Sequence, residues 1–478
     1  MKSSVSFIVD KLGEGLTGDR WRDAATKSTL SNLSCTTRRL LGPCRRYLFR
    51  SLSLSENRKI AYWEYACDLK DFVKFLCQPD GPAAHVRKLS LTFWGIDDAS
   101  SSSSRKNWKK TRTLIEKSVW FDEYAEEWKY ESHLTLFFCA LPGILGSLTG
   151  LEHLELQSNF HDATLTLFPE GVNRAIYECV RTMPLKSFKM SSMAVPYGII
   201  LELPATLTRL ELTHVHDDEF DDADGPGLAA PKSITLWPDP NSMYPSGIFG
   251  ISHPFTTTLV DDPRTSFSRV KKLDLSAKDN IHLGDFHTIL SKGIVTLEDL
   301  SIHFDQSFVM DIPDFEDSIP STSLPALKRL SLHFSNIGIR LDGTKLDSYI
   351  TCPIHFSAIV RQYLQVLGPR NNLEELEIEV DWSLKYEGYV HQPPSTLLDR
   401  TRSGWDAVDS RLSDENAFPS LSNVKLTFSP KITLFWPGEE RPKSEDIQAQ
   451  VLKEAHEVFM ATSRRLAGSL EINSESYC

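Results

Sequence analysis

The feature that most constrains this chain is a six-residue phrase, apolar-x-x-apolar-x-apolar, that returns along most of its length. It reads VRKLSL at Val86, Leu89 and Leu91, and LEHLEL at Leu151, Leu154 and Leu156. The same spacing recurs at Leu185/Phe188/Met190, Leu207/Leu210/Leu212, Val270/Leu273/Leu275, Leu297/Leu300/Ile302, Leu327/Leu330/Leu332, Leu373/Leu376/Ile378 and Leu421/Val424/Leu426. Self-similarity of this kind marks a chain built by stacking one small unit, each burying its apolar face against its neighbours. The last two apolar positions are two apart, so in an extended strand they share a face and the filler between them points the other way. The fillers are Ser90, Glu155, Lys189, Glu211, Asp274, Ser301, Ser331, Glu377 and Lys425, all polar. A row of short parallel strands would then have a leucine-rich core side and a polar outer side.

Segments of helical periodicity lie between the strands, with apolar residues three and four apart. One runs from about Lys59 to Cys77. Others centre on Val172 to Met183, Leu283 to Leu290, Phe356 to Leu367 and Ile447 to Met460, and another is read at Leu114 to Trp128. Turn signals precede several strands: Pro184 before Leu185, Gly293 before Leu297, and Gly368-Pro369 before Leu373. Helix, turn and strand form the expected unit. A weaker copy at Pro231/Ile234/Leu236 fills one long gap, and Leu470/Ile472 closes the array.

In these residues the chain resembles a leucine-rich-repeat protein of irregular type. The copies are spaced from 22 residues (Leu185 to Leu207) to 65 (Val86 to Leu151), whereas regular members keep about 20 to 29. Only Asn159 matches the family's asparagine after the last leucine. The resemblance implies an α/β fold, an irregular leucine-rich-repeat-like solenoid of parallel strands and helices over residues 56–478. An ordinary α/β domain with Leu-rich strands is the alternative.

The first sixty residues stand apart, with 12 Lys and Arg against 5 Asp and Glu in a chain whose net charge is -12. Leu30, Leu33, Leu40, Leu41, Leu48 and Phe49 fall on helical spacing, with Arg38, Arg39, Arg45, Arg46 and Arg50 between them, and Pro43 after Gly42 separates two helices. This stretch, from Leu30 to the strand Ser51–Leu54, resembles the second half of an F-box of the large fungal families. The opening of the motif is represented only by Phe7, Ile8, Val9 and Leu12, without its Leu-Pro. The resemblance implies a small α-helical F-box-like module over residues 1–55 that docks a Skp-type adaptor of a cullin ligase, with Leu33, Leu40, Leu41, Leu48 and Phe49 as apolar anchors. A solvated helix face explains the same arginines without a partner. Nucleic-acid binding is disfavoured because the rest of the chain is acidic.

Other stretches invite chemistry. The run from His214 to Asp224 holds six carboxylates but misses the calcium-loop template, since Phe220 occupies its first slot, and it reads as an acidic loop. Ser100 to Ser104, followed by Arg105, Lys106, Lys109 and Lys110, reads as a loop tip open to phosphorylation. Gly-rich phosphate loops, G-x-S-x-G, H-E-x-x-H and C-x-x-C are missing, and single histidines such as His153, His303 and His333 read as satisfied surface residues. No catalytic role, cofactor or metal is expected. Eight scattered cysteines suit a reducing, intracellular compartment, cytoplasmic or nuclear, and no apolar run is long enough to span a membrane.

The expected function is substrate recognition for a cullin-RING ubiquitin ligase. The N-terminal helices would hold the adaptor, and the outward residues Glu155, Glu211, Asp274 and Glu377 would meet a target protein, biasing the face toward basic partners. The alternative is a ligase-independent interaction scaffold whose N-terminal helices only cap the repeats.

Overall fold

The computed structural model describes residues 44, 46–55, 73–78, 81–93, 133–158, 163–165, 168–196, 198–217, 232–237, 263, 265–277, 286, 288–290, 294–304, 324–342, 354–367, 372–387, 404–434 and 444–474. The chain divides into two units, Met1–Ala229 and Ala230–Cys478.

In the first unit the strands are β1 (Ser51–Ser55), β2 (Lys88–Phe93), β3 (His153–Ser158), the two-residue β4 (Ala163–Thr164), β5 (Ser187–Val195) and β6 (Arg209–Asp217). Strands β1, β2, β3, β5 and β6 pair in that order, all parallel, and β4 pairs with β5. Its helices are α1 (His133–Ser147), α2 (Glu170–Thr182) and the single turn α3 (Gly198–Leu201), with a 3-10 turn at Pro82–His85. The second unit holds β7 (Ser233–Trp237), β8 (Lys272–Ala277), β9 (Asp299–Phe304), β10 (Arg329–Asp342), β11 (Glu375–Glu387), β12 (Asn423–Leu434) and β13 (Leu470–Ser474), again parallel in chain order. Its helices are α4 (Ile354–Val366), α5 (Trp405–Ser413), α6 (Ser444–Val458) and α7 (Met460–Leu466). Every copy of the leucine phrase thus becomes a strand, and the weaker copies at Ile234/Leu236 and Leu470/Ile472 become β7 and β13.

The phrase works because its apolar positions meet in register. Leu89 aligns with Leu154, Phe188 and Leu210, and Leu91 with Leu156, Met190 and Leu212. In the second unit Leu273, Leu300, Leu330, Leu376 and Val424 form one row and Leu275, Ile302, Leu332, Ile378 and Leu426 the next. All are buried, at 3% exposure or less. The intervening side chains lie on the other face and remain half-exposed in β2, β3, β8 and β9. Each first apolar residue of the phrase is also buried, and in six copies its N–H closes a turn onto a residue three back: Val86 to Ala83, Leu207 to Pro204, Val270 to Phe267, Leu297 to Ile294, Leu327 to Leu324 and Leu421 to Phe418.

The next step is equally regular. One carbonyl at each strand entrance accepts both following N–H groups of the next strand. Arg50 O receives Arg87 N and Lys88 N, Arg87 O receives Glu152 N and His153 N, and Glu152 O receives Lys186 N and Ser187 N. Lys271, Glu298, Lys328 and Glu374 repeat this in the second unit. Backbone donors that the turn would otherwise strand are thereby satisfied.

The helices pack on the apolar face. Phe93 of β2 meets Phe137 and Phe138 of α1 and Phe168 ahead of α2. Phe304 and Phe334 stack at 4.7 Å and reach Tyr363 and Phe356 of α4. Trp405 of α5 packs edge-on against Phe428 of β12. The expected helices at Val172–Met183, Phe356–Leu367 and Ile447–Met460 match α2, α4 and α6 to α7 within a few residues. Helices α1 and α5 were not expected. Of the segment from Lys59 to Cys77 the described part is helical at 73–76, and of Leu283 to Leu290 at 286 and 288–290. The segment Leu114 to Trp128, the serine run and the acidic residues from Asp218 onward lie outside the described residues. Strands β10, β11 and β12 run 14, 13 and 12 residues, twice the length of the phrase.

Candidate functional site

With helices on one side of each sheet, the other side carries the outward fillers, and the structure aligns them. In the first unit Ser53, Ser90, Glu155, Lys189 and Glu211 occupy successive strands at one level. In the second, Asp274, Ser301, Ser331, Glu377, Lys425 and Glu471 do the same. All four carboxylates expected to meet a target are therefore on the outer faces, Glu155 and Glu211 in one unit, Asp274 and Glu377 in the other.

Their partners were not foreseen. Glu155 lies between Lys88 at 3.7 Å and Lys189 at 3.6 Å, and Glu211 between Lys189 at 2.7 Å and Arg209 at 2.8 Å. At the strand entrances Glu152 lies between Arg87 at 3.8 Å and Lys186 at 2.7 Å. Lys186's hydrogen bond, with its charge, holds the Glu152 carboxyl below the usual carboxylate range. Neighbouring His153 is pushed below its ordinary value, first by burial and then by Lys88, Lys186 and Arg50, against the opposing pull of Glu152. Arg87 also ties the turn together by donating to the carbonyls of Ala84 and Gly150, each at 3.0 Å.

The second unit repeats the arrangement with Glu298 between Lys271 and Lys328, and Asp299 between Lys272 and Arg329. Glu377 accepts from Lys425 at 2.6 Å, an interaction that raises the lysine's pKa. One step along, His303 and His333 are register partners whose rings stack at 4.4 Å with an 8° interplanar angle. His303 Nε2 lies 3.4 Å from Asp274 and 3.1 Å from the Ser301 hydroxyl, and His333 Nδ1 lies 3.0 Å from Glu379. These histidines are satisfied, as expected, but they are a pair. The sequence signal was their common position, one residue after Ile302 and Leu332 in two consecutive copies. The nitrogen lone pairs of stacked rings lie in two separate, nearly parallel planes, so the two rings cannot converge on one metal ion. Among the described residues no three His, Cys, Asp or Glu side chains are placed to hold a metal.

Of the expected adaptor anchors, Leu33, Leu40 and Leu41 lie outside the described residues. Leu48 and Phe49 are half-buried, and the Phe49 ring packs against Phe75 at 5.6 Å. Cys44, just ahead of them, is fully buried. No helix among the described residues is long and apolar enough to cross a membrane. The outer faces offer charges and hydroxyls aligned by strand register. The chain matches no protein-family model, and no curated protein is significantly similar to it in sequence.

Proposed function

We propose that the chain is a recognition protein whose outer sheet faces hold a target and whose N-terminal helices bind a Skp-type adaptor, making it a substrate-recognition subunit of a cullin-RING ubiquitin ligase. The reading treats the strand array as leucine-rich-repeat-like and residues 30–54 as F-box-like. One observation carries the recognition half. In each unit a row of parallel, in-register strands holds polar, half-exposed side chains on the face opposite the buried leucine rows. Such a subunit would act by proximity, because tethering raises the effective concentration of a target lysine near the conjugating enzyme. The target face would include Glu155, Glu211, Asp274 and Glu377, and the adaptor contact Leu33, Leu40, Leu41, Leu48 and Phe49.

A second reading, a scaffold whose N-terminal segment only covers the array, draws on the packing of Phe49 against Phe75 and on β1 pairing directly with β2. Both give the segment an internal task, since the end of a stacked array exposes core unless covered. Co-expression with a Skp-type adaptor separates the two. We expect stoichiometric capture by the full chain and loss of capture by Leu40→Asp/Leu48→Asp, with circular dichroism confirming that the variant is folded. A folded full chain that captures no adaptor leaves the scaffold.

A further inference from the structure

We propose that the outer face of the first unit's sheet takes an acidic peptide segment of the partner protein. This inference rests on the reading of that face as the target surface and adds the partner's chemistry to it. Along β2, β3, β5 and β6 and their entrances, five cations (Arg87, Lys88, Lys186, Lys189 and Arg209) surround three carboxylates (Glu152, Glu155 and Glu211). Each carboxylate lies between two cations, and with five cations to three carboxylates positive charge is in excess within the cluster.

The cations are also outermost. The five basic side chains are between 35% and 60% exposed, and the three carboxylates between 15% and 28%. An approaching chain therefore meets ammonium and guanidinium groups first, with the carboxylates beneath them acting as positioning residues. This reverses the bias that the outward glutamates alone would suggest.

The geometry also sizes the ligand. Three strand spacings from β2 to β6 cover about 14 Å, the length of four or five extended residues at about 3.3 Å each. An acidic peptide of that length matches the cluster and feels only the local field, because charges beyond about 10 Å are screened at ordinary salt. A long polyanion such as nucleic acid would instead meet a chain of net charge -12. The second unit repeats such a cluster on β8 to β10 but sets an acidic stretch beside it, Glu374 at the entrance of β11 and Glu375, Glu377 and Glu379 on it, against Lys425 of β12.

The test is fluorescence anisotropy on the full chain with four labelled probes: an Asp/Glu-rich peptide, its Asn/Gln counterpart, a Lys-rich peptide and a short single-stranded oligonucleotide. We expect the acidic peptide to bind best and to weaken as salt rises. Lys186→Gln/Arg209→Gln should weaken it about tenfold, the scale of close interfacial charge pairs, while Arg174→Gln/Arg181→Gln on helix α2, which removes the same number of charges away from the sheet face, should leave it unchanged. Thermal melts establish that both variants are folded. Preferred binding of the Lys-rich peptide overturns the inference while keeping the face as a target surface. An oligonucleotide that binds as tightly as the acidic peptide overturns it in favour of a nucleic-acid partner. Equal binding of all probes, or binding of none, overturns it as well, and adaptor capture then judges the ligase reading separately.

Discussion

At the scale of single residues, the side chains that hold elements together are those with tertiary partners. Helix α7 begins after Phe459, which has no side-chain oxygen to cap it. Asp409 of α5, 8% exposed, supplies the cap from another helix: its carboxylate accepts from Ala461 N at 3.2 Å and Thr462 N at 2.9 Å. Arg465 completes the joint by donating to the carbonyls of Leu412 and Phe418. Asp409→Ala should therefore cost about 1 to 3 kcal/mol in urea denaturation, and Asp409→Asn less, because the amide keeps one acceptor. His153 sets a pH dependence. Its folded-state pKa is held below the ordinary 6.5, so acid protonates the unfolded chain first. The stability it contributes is complete above that value and is lost as pH falls toward the depressed one. Denaturation midpoints at about pH 7.5 and about pH 5.5 should differ in the native chain, and His153→Gln should narrow the difference.

At the scale of elements, the strand is a phrase plus a register. The prediction that separates its two faces uses neighbours on β10. Leu332, fully buried in its row, should cost about 2 to 5 kcal/mol as Leu332→Ala. Ser331, on the polar face, should change stability by less than about 0.5 kcal/mol as Ser331→Ala. The phrase was legible because period-two alternation leaves little choice of face. The full strand lengths were legible too, had the alternation been followed through Ile337, Ile339 and Leu341, or Trp382, Leu384 and Tyr386. So was the longer form of the phrase, which starts three residues earlier at Ala83, Phe267, Ile294, Leu324 and Phe418. Helix α1 escaped because its sequence, HLTLFFCALPGILGS, is apolar all round and contains Pro142, so no amphipathic stripe marks it. The charge clusters escaped for another reason: Lys88, Glu155 and Lys189 are far apart in the chain and meet only when three strands align.

At the scale of the whole molecule, charge is a total and a distribution, and the two behave differently. The total of 64 acidic and 52 basic residues, with a pI near 5.7, places the solubility minimum near that pH, which turbidity against pH would show. The distribution puts cations outermost on one acidic chain's first sheet, and no sum over composition contains that. The sequence by itself determined that this protein is built on strands with one apolar and one polar side, because side-chain alternation along a strand is a local property. Only the tertiary structure decided which residues are neighbours on the polar side, that Glu155 and Glu211 lie beneath their cations, and that His303 stacks on His333. Those contacts depend on strand register and on connections of many different lengths, and electrostatic interaction follows distance in space, not separation along the chain.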